Sequence, residues 1–315
     1  MKPVEKMAAR VLSKNGLHPP YDLASLVSKY GNVEYHTFPI NADGITIGIG
    51  GEDKPIILIN NEQPDTRRKF TLAHELGHII IPWHTGTIVS HIDGDLADFE
   101  YWQMESEANQ FASELLIPQS WILKQNFESN SVEAFINRIL DDTGASRDAV
   151  LIKTFKVLDF PVVCAQVDIF GEVIKVYRTK CAPSGASLIG KNAFSEKIFS
   201  TFESEEKFSL GDRDYKSWVF SDLGIIETDD RPWRDVLTQI LAETNSEGLQ
   251  QSINATMAMR YNRNKGKSES EICSRVIQSY DGEERFEEIV KHKLFPQYVI
   301  KRVRELEARQ KFNNE

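Results

Sequence analysis

Cysteine is scarce. Three occur in 315 residues, Cys164, Cys181 and Cys273, an odd and widely spaced set. Neither a disulfide framework nor a four-cysteine zinc site can be drawn from them, and a reducing cytoplasm suits such a chain. Long apolar runs are missing too. The longest, around Ile79–Ile81, fall far short of the ~20 residues a membrane helix needs, so no membrane partner is expected. The opening residues, MKPVEKMAAR, hold no apolar stretch of the kind found in a secretory signal. There is no internal repeat and no low-complexity tract, which leaves out collagen- and coil-like fibres.

What remains is an ordinary globular composition. Hydrophobic residues make up 41% and charged residues 27%, enough to bury a core. The length predicts two or three domains. The net charge of −10 argues against a nucleic-acid coat protein. That charge is unevenly spread, with balances of −6 over residues 1–125, −7 over 126–250 and +3 over 251–315. Lys291, Lys293, Lys301, Arg302 and Arg304 therefore form a candidate surface for an anionic activator such as single-stranded DNA. The acidic Glu287, Glu288, Glu305 and Glu307 among them favour plain helix-surface pairing.

The first helix is read from Val4, Met7, Ala8, Val11 and Leu12, one apolar stripe that Gly16 ends. A second runs from about Tyr21 to Lys29. Short β-like runs follow at Val33–Phe38, Ile45–Ile49 and Ile56–Asn60. Residues 65–81 are helical and stop at Pro82. Residues 83–103 show no period and read as a long functional loop. A further helix covers about Met104–Leu116, stopped by Pro118. Residues 119–158 are helical, and Ser131–Thr143 and Ser146–Leu158 flank Gly144 in a helix-turn-helix pattern. The second of these helices offers only Arg147, Lys153 and Lys156 to phosphates, so packing is expected over DNA binding. Composition shifts at 158–161. Residues 162–180 read as a Val/Ile hairpin around Phe170-Gly171, with Cys164 and Cys181 as buried small hydrophobes on its arms. More α/β structure is expected to 230, then helices near 233–243, 268–280, 283–294 and 298–311. The expected division is 1–118, a helical segment at 119–158, and a separate α/β to helical domain at 161–315.

The chemistry concentrates in His74-Glu75-Leu76-Gly77-His78. Two histidines four apart share one helix face, with Cβ atoms roughly 5–6 Å apart. Their ring nitrogens can meet one ion, and the glutamate one step round the helix can reach a water on it. That pattern suits a catalytic Zn2+ with Glu75 as general base. Such a site needs a third ligand. In MESEANQFASELLIP, Glu105 lies nearer than Glu107 to the core stripe of Ala108, Phe111, Ala112 and Leu115. Glu105 is therefore the favoured ligand and Glu107 the alternative. Asn109, one turn beyond Glu105, is a candidate to hold a ligand in place. His84 and His91 in the following loop are further candidate ligands or oxyanion donors. Tyr101 is a candidate donor to a tetrahedral intermediate. Ile45–Ile49, with Gly48 and Gly50, is the expected sheet edge for an extended substrate.

RKFTLAHELGHIII followed by ESEANQFASELLIP resembles the ImmA/IrrE family of zinc metallopeptidases over about residues 1–158. The resemblance implies an α+β, gluzincin-like fold, with a small sheet beside active-site helices. It implies His74, His78 and Glu105 as zinc ligands and Glu75 as general base. It also implies a soluble cytoplasmic endopeptidase that cleaves a helix-turn-helix repressor and so switches on stress, mobile-element or anti-phage genes. Two other readings are a non-hydrolytic repressor-binding protein and a toxin–antitoxin or defence component on the same fold. Some relatives carry a GAF-like sensory domain after this region, and the hairpin at 162–180 is compatible with one.

Overall fold

The computed structural model describes residues 1–90, 99–125, 131–183, 187–196, 198–199, 201–281 and 283–313. His91 lies outside them. The fold is mixed α+β. The chain divides into two compact units, residues 1–128 with 134–157, and residues 129–133 with 158–315.

The first unit opens with α1 (Pro3–Lys14) and α2 (Leu23–Val27), the latter capped by Asp22, which accepts from the Ser25 amide. Then come β1 (Asn32–His36), β2 (Gly44–Ile49), β3 (Ile56–Asn60), α3 (Asp65–Ile80), β4 (Gly86–Ser90) and α4 (Phe99–Leu116). Helices α5 (Gln119–Ile122), α6 (Val132–Thr143) and α7 (Arg147–Val157) complete the run. The four strands form one sheet in the order β1-β3-β2-β4. β1 pairs with β3 in parallel, and β2 pairs antiparallel with both β3 and β4.

This topology corrects two expectations. Residues 83–103 are not one irregular loop, because Gly86–Ser90 pairs with β2 and α4 begins at Phe99. The strand is recruited by partners about forty residues away, which a local period cannot reveal. For the same reason Ile45–Ile49 is not the edge: β2 is interior, and β4 takes the edge on that side.

Strand alternation aims Gly44 and Thr46 to the buried side of β2. Helix α3 packs there, and every residue from Thr71 to His78 is buried. α4 lies against α3 at short range. A Cβ on Gly77 would stand 3.1 Å from the Phe111 ring and 3.3 Å from the Ala108 Cα, so glycine and alanine permit the approach. The contacts His74–Asn109 and His78–Glu105 descend in one sequence as they climb in the other, so the two helices run antiparallel.

The helix-turn-helix-like segment is packed rather than presented. Val150, Leu151, Lys153, Thr154 and Phe155 of α7 are buried. Lys153 reaches Glu114 of α4 at 2.6 Å, and both side chains are almost fully buried.

The second unit contains β5 (Val162–Val167), β6 (Val173–Arg178), β7 (Ser204–Leu210) and β8 (Arg213–Val219), a four-stranded antiparallel sheet in the order β6-β5-β8-β7. The expected 162–180 hairpin is β5 and β6. Cys164 and Cys181 are buried, and burial pushes both thiols up, Cys164 the further. Helices α8 (Trp233–Glu243), α9 (Gln250–Arg263), α10 (Glu269–Gln278), α11 (Glu287–Lys291) and α12 (Phe295–Asn313) follow around a separate apolar cluster. The expected helix at 283–294 is a single short turn of α-helix preceded by a 3₁₀ turn. α9 lies in a stretch expected to be mostly helical but is not among the helices expected individually. Among the described residues no helix is long and apolar enough to cross a membrane.

Candidate metal centre

Because α3 and α4 run antiparallel, they bring His74, His78 and Glu105 together. One donor atom from each lies within 4.8 Å of the others, and all three residues are buried. The two Nε2 atoms are 3.0 Å apart. Glu105 reaches His78 Nε2 at 3.2 Å and His74 Nε2 at 3.5 Å. Burial pushes the Glu105 carboxyl upward, but hydrogen bonds and charge from the two imidazoles outweigh it and hold the carboxyl well below the usual range.

Glu75 stands beside this group and is fully buried. Burial is the main cause that pushes its pKa up to about 7, opposed by His78 and by the hydroxyls of Thr46 and Ser90. Thr46 Oγ1 donates to Glu75 Oε2 at 2.5 Å. Glu75 Oε1 is buried. It lies against Gly44, where any Cβ would collide with it.

The remaining candidates fall in distinct places. Asn109 Oδ1 lies 3.1 Å from His74 Nδ1, the nitrogen facing away from the carboxylate group. Glu107 is not near the paired Nε2 atoms. It accepts from Trp83 Nε1 at 2.6 Å and contacts His84 Nε2 at 3.2 Å. His84 sits behind His78, their Nδ1 atoms 2.9 Å apart. Tyr101 donates to the Val89 carbonyl on β4 at 2.9 Å. A cleft of about 710 Å³ opens on Glu105 and Asn109, with Tyr101, Trp102, Arg67 and Lys156 among its walls.

Reading the sequence alone misses Gly44, Thr46 and Trp83. A signal existed for the first two: residues two apart on one strand share a face, and a glycine and a threonine there leave room and a hydroxyl for a buried acid. Nothing local pointed to Trp83.

A donor set of two imidazoles and a carboxylate, with an acid beside it, can hold a divalent metal and manage a proton. Comparison with known proteins bears on the same stretch. No curated protein matches the chain. A solved structure, a Mycobacterium tuberculosis transcriptional regulator, is similar at 12% identity over 69% of this chain and 76% of its own, with a TM-score of 0.39. Residues 31–154, which contain the sheet, both site helices and all of the candidate ligands, match the family model of the Peptidase_M78, IrrE N-terminal-like domain.

Proposed function

We propose that the first unit is a zinc-dependent endopeptidase acting on a protein substrate. The observation that carries this reading is the convergence of His74, His78 and Glu105 beside a fully buried Glu75, within a region that matches a peptidase family model. The donor set fits zinc, which takes imidazole nitrogen and carboxylate oxygen in a three-ligand catalytic site. Bound there, zinc would supply a Lewis acid and a more acidic water.

The chain's own residues do the rest. Glu75 takes the proton of the attacking water and passes it to the leaving amine. Burial, which raises the Glu75 carboxyl in the metal-free fold, favours its holding a proton between the two steps. Thr46 holds one oxygen of Glu75, which leaves the other for the proton. Asn109 holds the His74 ring by its far nitrogen. An extended substrate adds to the outer edge of β4, the last strand of the sheet among the described residues and part of the sheet that carries Thr46. Following the family resemblance, the substrate is a cytoplasmic helix-turn-helix repressor, and its cleavage switches on a stress, mobile-element or anti-phage response. Residues 158–315 would serve as a sensory or regulatory unit for that response.

Glu75→Gln is the direct test. Zinc content measured on the purified variant should stay at the wild-type level, while cleavage of a co-incubated helix-turn-helix repressor should fall by about 10²–10⁴-fold. A variant that cuts at the wild-type rate removes Glu75 from the mechanism. Repressor binding by the wild type without fragments would favour the non-hydrolytic reading.

A further inference from the structure

Behind His78, on the side away from Glu105, a second chain of polar side chains runs outward to the surface. His78 Nδ1 meets His84 Nδ1 at 2.9 Å, and His84 Nε2 meets Glu107 Oε2 at 3.2 Å. Glu107 is held in turn by Trp83 Nε1 at 2.6 Å and Gln103 Nε2 at 3.2 Å. Both histidines are buried, His78 at 0% and His84 at 1% exposure. The proposed chemistry uses none of His84, Glu107 or Trp83.

The direction of this chain follows from which atoms can donate. An ionised carboxylate only accepts, so the Glu107 contact places a proton on His84 Nε2. A neutral imidazole carries one proton, so His84 Nδ1 is then a lone pair. The 2.9 Å contact then takes its proton from His78 Nδ1. His78 Nε2 is thereby left as a lone pair beside His74 Nε2 and the Glu105 carboxylate, three acceptors that a cation between them satisfies. The opposite direction would put a proton on His78 Nε2, donated to Glu105, and set a lone pair of His84 Nε2 against the Glu107 carboxylate.

The geometry points to His84 and Glu107 as a positioning pair that fixes the His78 tautomer and so keeps its metal-facing nitrogen free to coordinate. The inference rests on the metal-binding part of the reading above, and not on proteolysis. Neither residue belongs to the donor set of His74, His78 and Glu105. Glu107 sets the direction of the chain, His84 transmits it, and Trp83 orients the carboxylate. The same logic makes Asn109 the partner of His74, but there one amide oxygen ends the chain within a single step.

Four variants test the pair: Glu107→Gln, whose amide can donate as well as accept; Glu107→Ala; His84→Phe, which keeps a ring and loses the acceptor; and His84→Asn, whose carbonyl oxygen can stand in for Nδ1. Circular dichroism of each metal-free variant checks folding. Zinc affinity, measured by competition with a chromogenic chelator, should fall about 10- to 100-fold in the first three and recover in His84→Asn. The second readout is imidazole ¹⁵N chemical shifts of the metal-free wild type at pH 8, which should show His78 protonated on Nδ1, with Glu107→Gln moving it toward Nε2. A structural role for His84 or Glu107 would not move that tautomer.

Zinc affinities in Glu107→Gln and His84→Phe within about threefold of wild type would overturn the proposal. So would a wild-type His78 protonated on Nε2. If the wild type takes up no zinc at all, the metal reading fails, and the ¹⁵N shifts alone still decide the pair. If zinc binds as expected but no substrate is cut, proteolysis fails and the pair stands.

Discussion

The two units bury charge in different ways. In the second, Arg260 of α9 lies 3.6 Å above the Tyr280 ring and pairs with Glu283. One cation meets one anion and one aromatic face inside the core. In the first unit, two imidazoles and two carboxylates occupy one buried spot, and two of those groups are acids within reach of the same histidines. Such a cluster is costly in a folded chain unless something further neutralises it. The first unit also contains an ordinary buried pair, Lys153–Glu114. Buried charge as such therefore does not mark the site. Convergence does: two imidazoles and two carboxylates meet on one buried spot, where the ordinary pair sets one cation against one anion.

The strongest way to sharpen this contrast is to make the ordinary pair behave like the cluster. Lys153→Met leaves the fully buried Glu114 without its cation, and α7 loses its tie to α4. Breaking a buried pair by removing one partner costs about 3–5 kcal/mol. Urea unfolding followed by hydrogen exchange of α3 and α4 amides should show a loss of that size. Replacing Glu114 by Gln in the same chain should recover much of it, because the neutral amide can still accept from the Gln119 amide. A loss under about 1 kcal/mol would mean that water reaches Glu114 and that the pair is no different from a surface one.

The cluster can be probed through pH with the metal removed by a chelator. Burial raises Glu75 from 4.5 to about 7 in the folded chain. The folded state therefore holds its proton more tightly than the unfolded state. The stability this confers is fully present below about pH 4.5 and is lost as pH rises through 7. The span corresponds to about 3 kcal/mol, an order-of-magnitude figure. Metal-free wild type should lose stability across that window, while Glu75→Gln should be flat there. Parallel curves for the two proteins would show that Glu75 stays ionised in the fold.

The sequence carried the site further than it carried the sheet, and the physical reason is range. His74, Glu75 and His78 lie on one helix, so a spacing rule reaches them. Glu105 lies on another helix, but its lean toward the apolar stripe of α4 was readable from a 3.6-residue period. β4 and the interior position of β2 depend on pairing across the chain, and no local period reports that. His84 looked like a loop histidine because its partners, His78 and Glu107, come from two different helices. α9 was missed for a different reason. Ile253, Met257, Arg260 and Tyr261 form its buried stripe, and an arginine within it reads as solvent-facing until its aromatic and acidic partners are known.

The smallest expected effect lies on the basic surface of α11 and α12. Lys291 pairs with Glu287, Lys301 with Glu227, Arg302 with Glu305, and Arg304 with both Glu227 and Glu269. Arg304 is about half exposed, so water screens its pairs and a typical exposed ion pair is worth only about 0–1 kcal/mol. Arg304→Ala should therefore shift the urea midpoint of the second unit barely at all. The same substitution speaks to an anionic activator. An arginine already facing two carboxylates meets a phosphate only by giving those contacts up, so single-stranded DNA should bind weakly and lose affinity steeply with salt. If Arg304→Ala left stability unchanged but removed a tight, salt-sensitive DNA affinity, these pairs would be a latch that the anion opens. If no such affinity is found, they are the solvated helix surface that alternating Lys, Arg and Glu produce, and the contrast between the units rests on the buried groups alone.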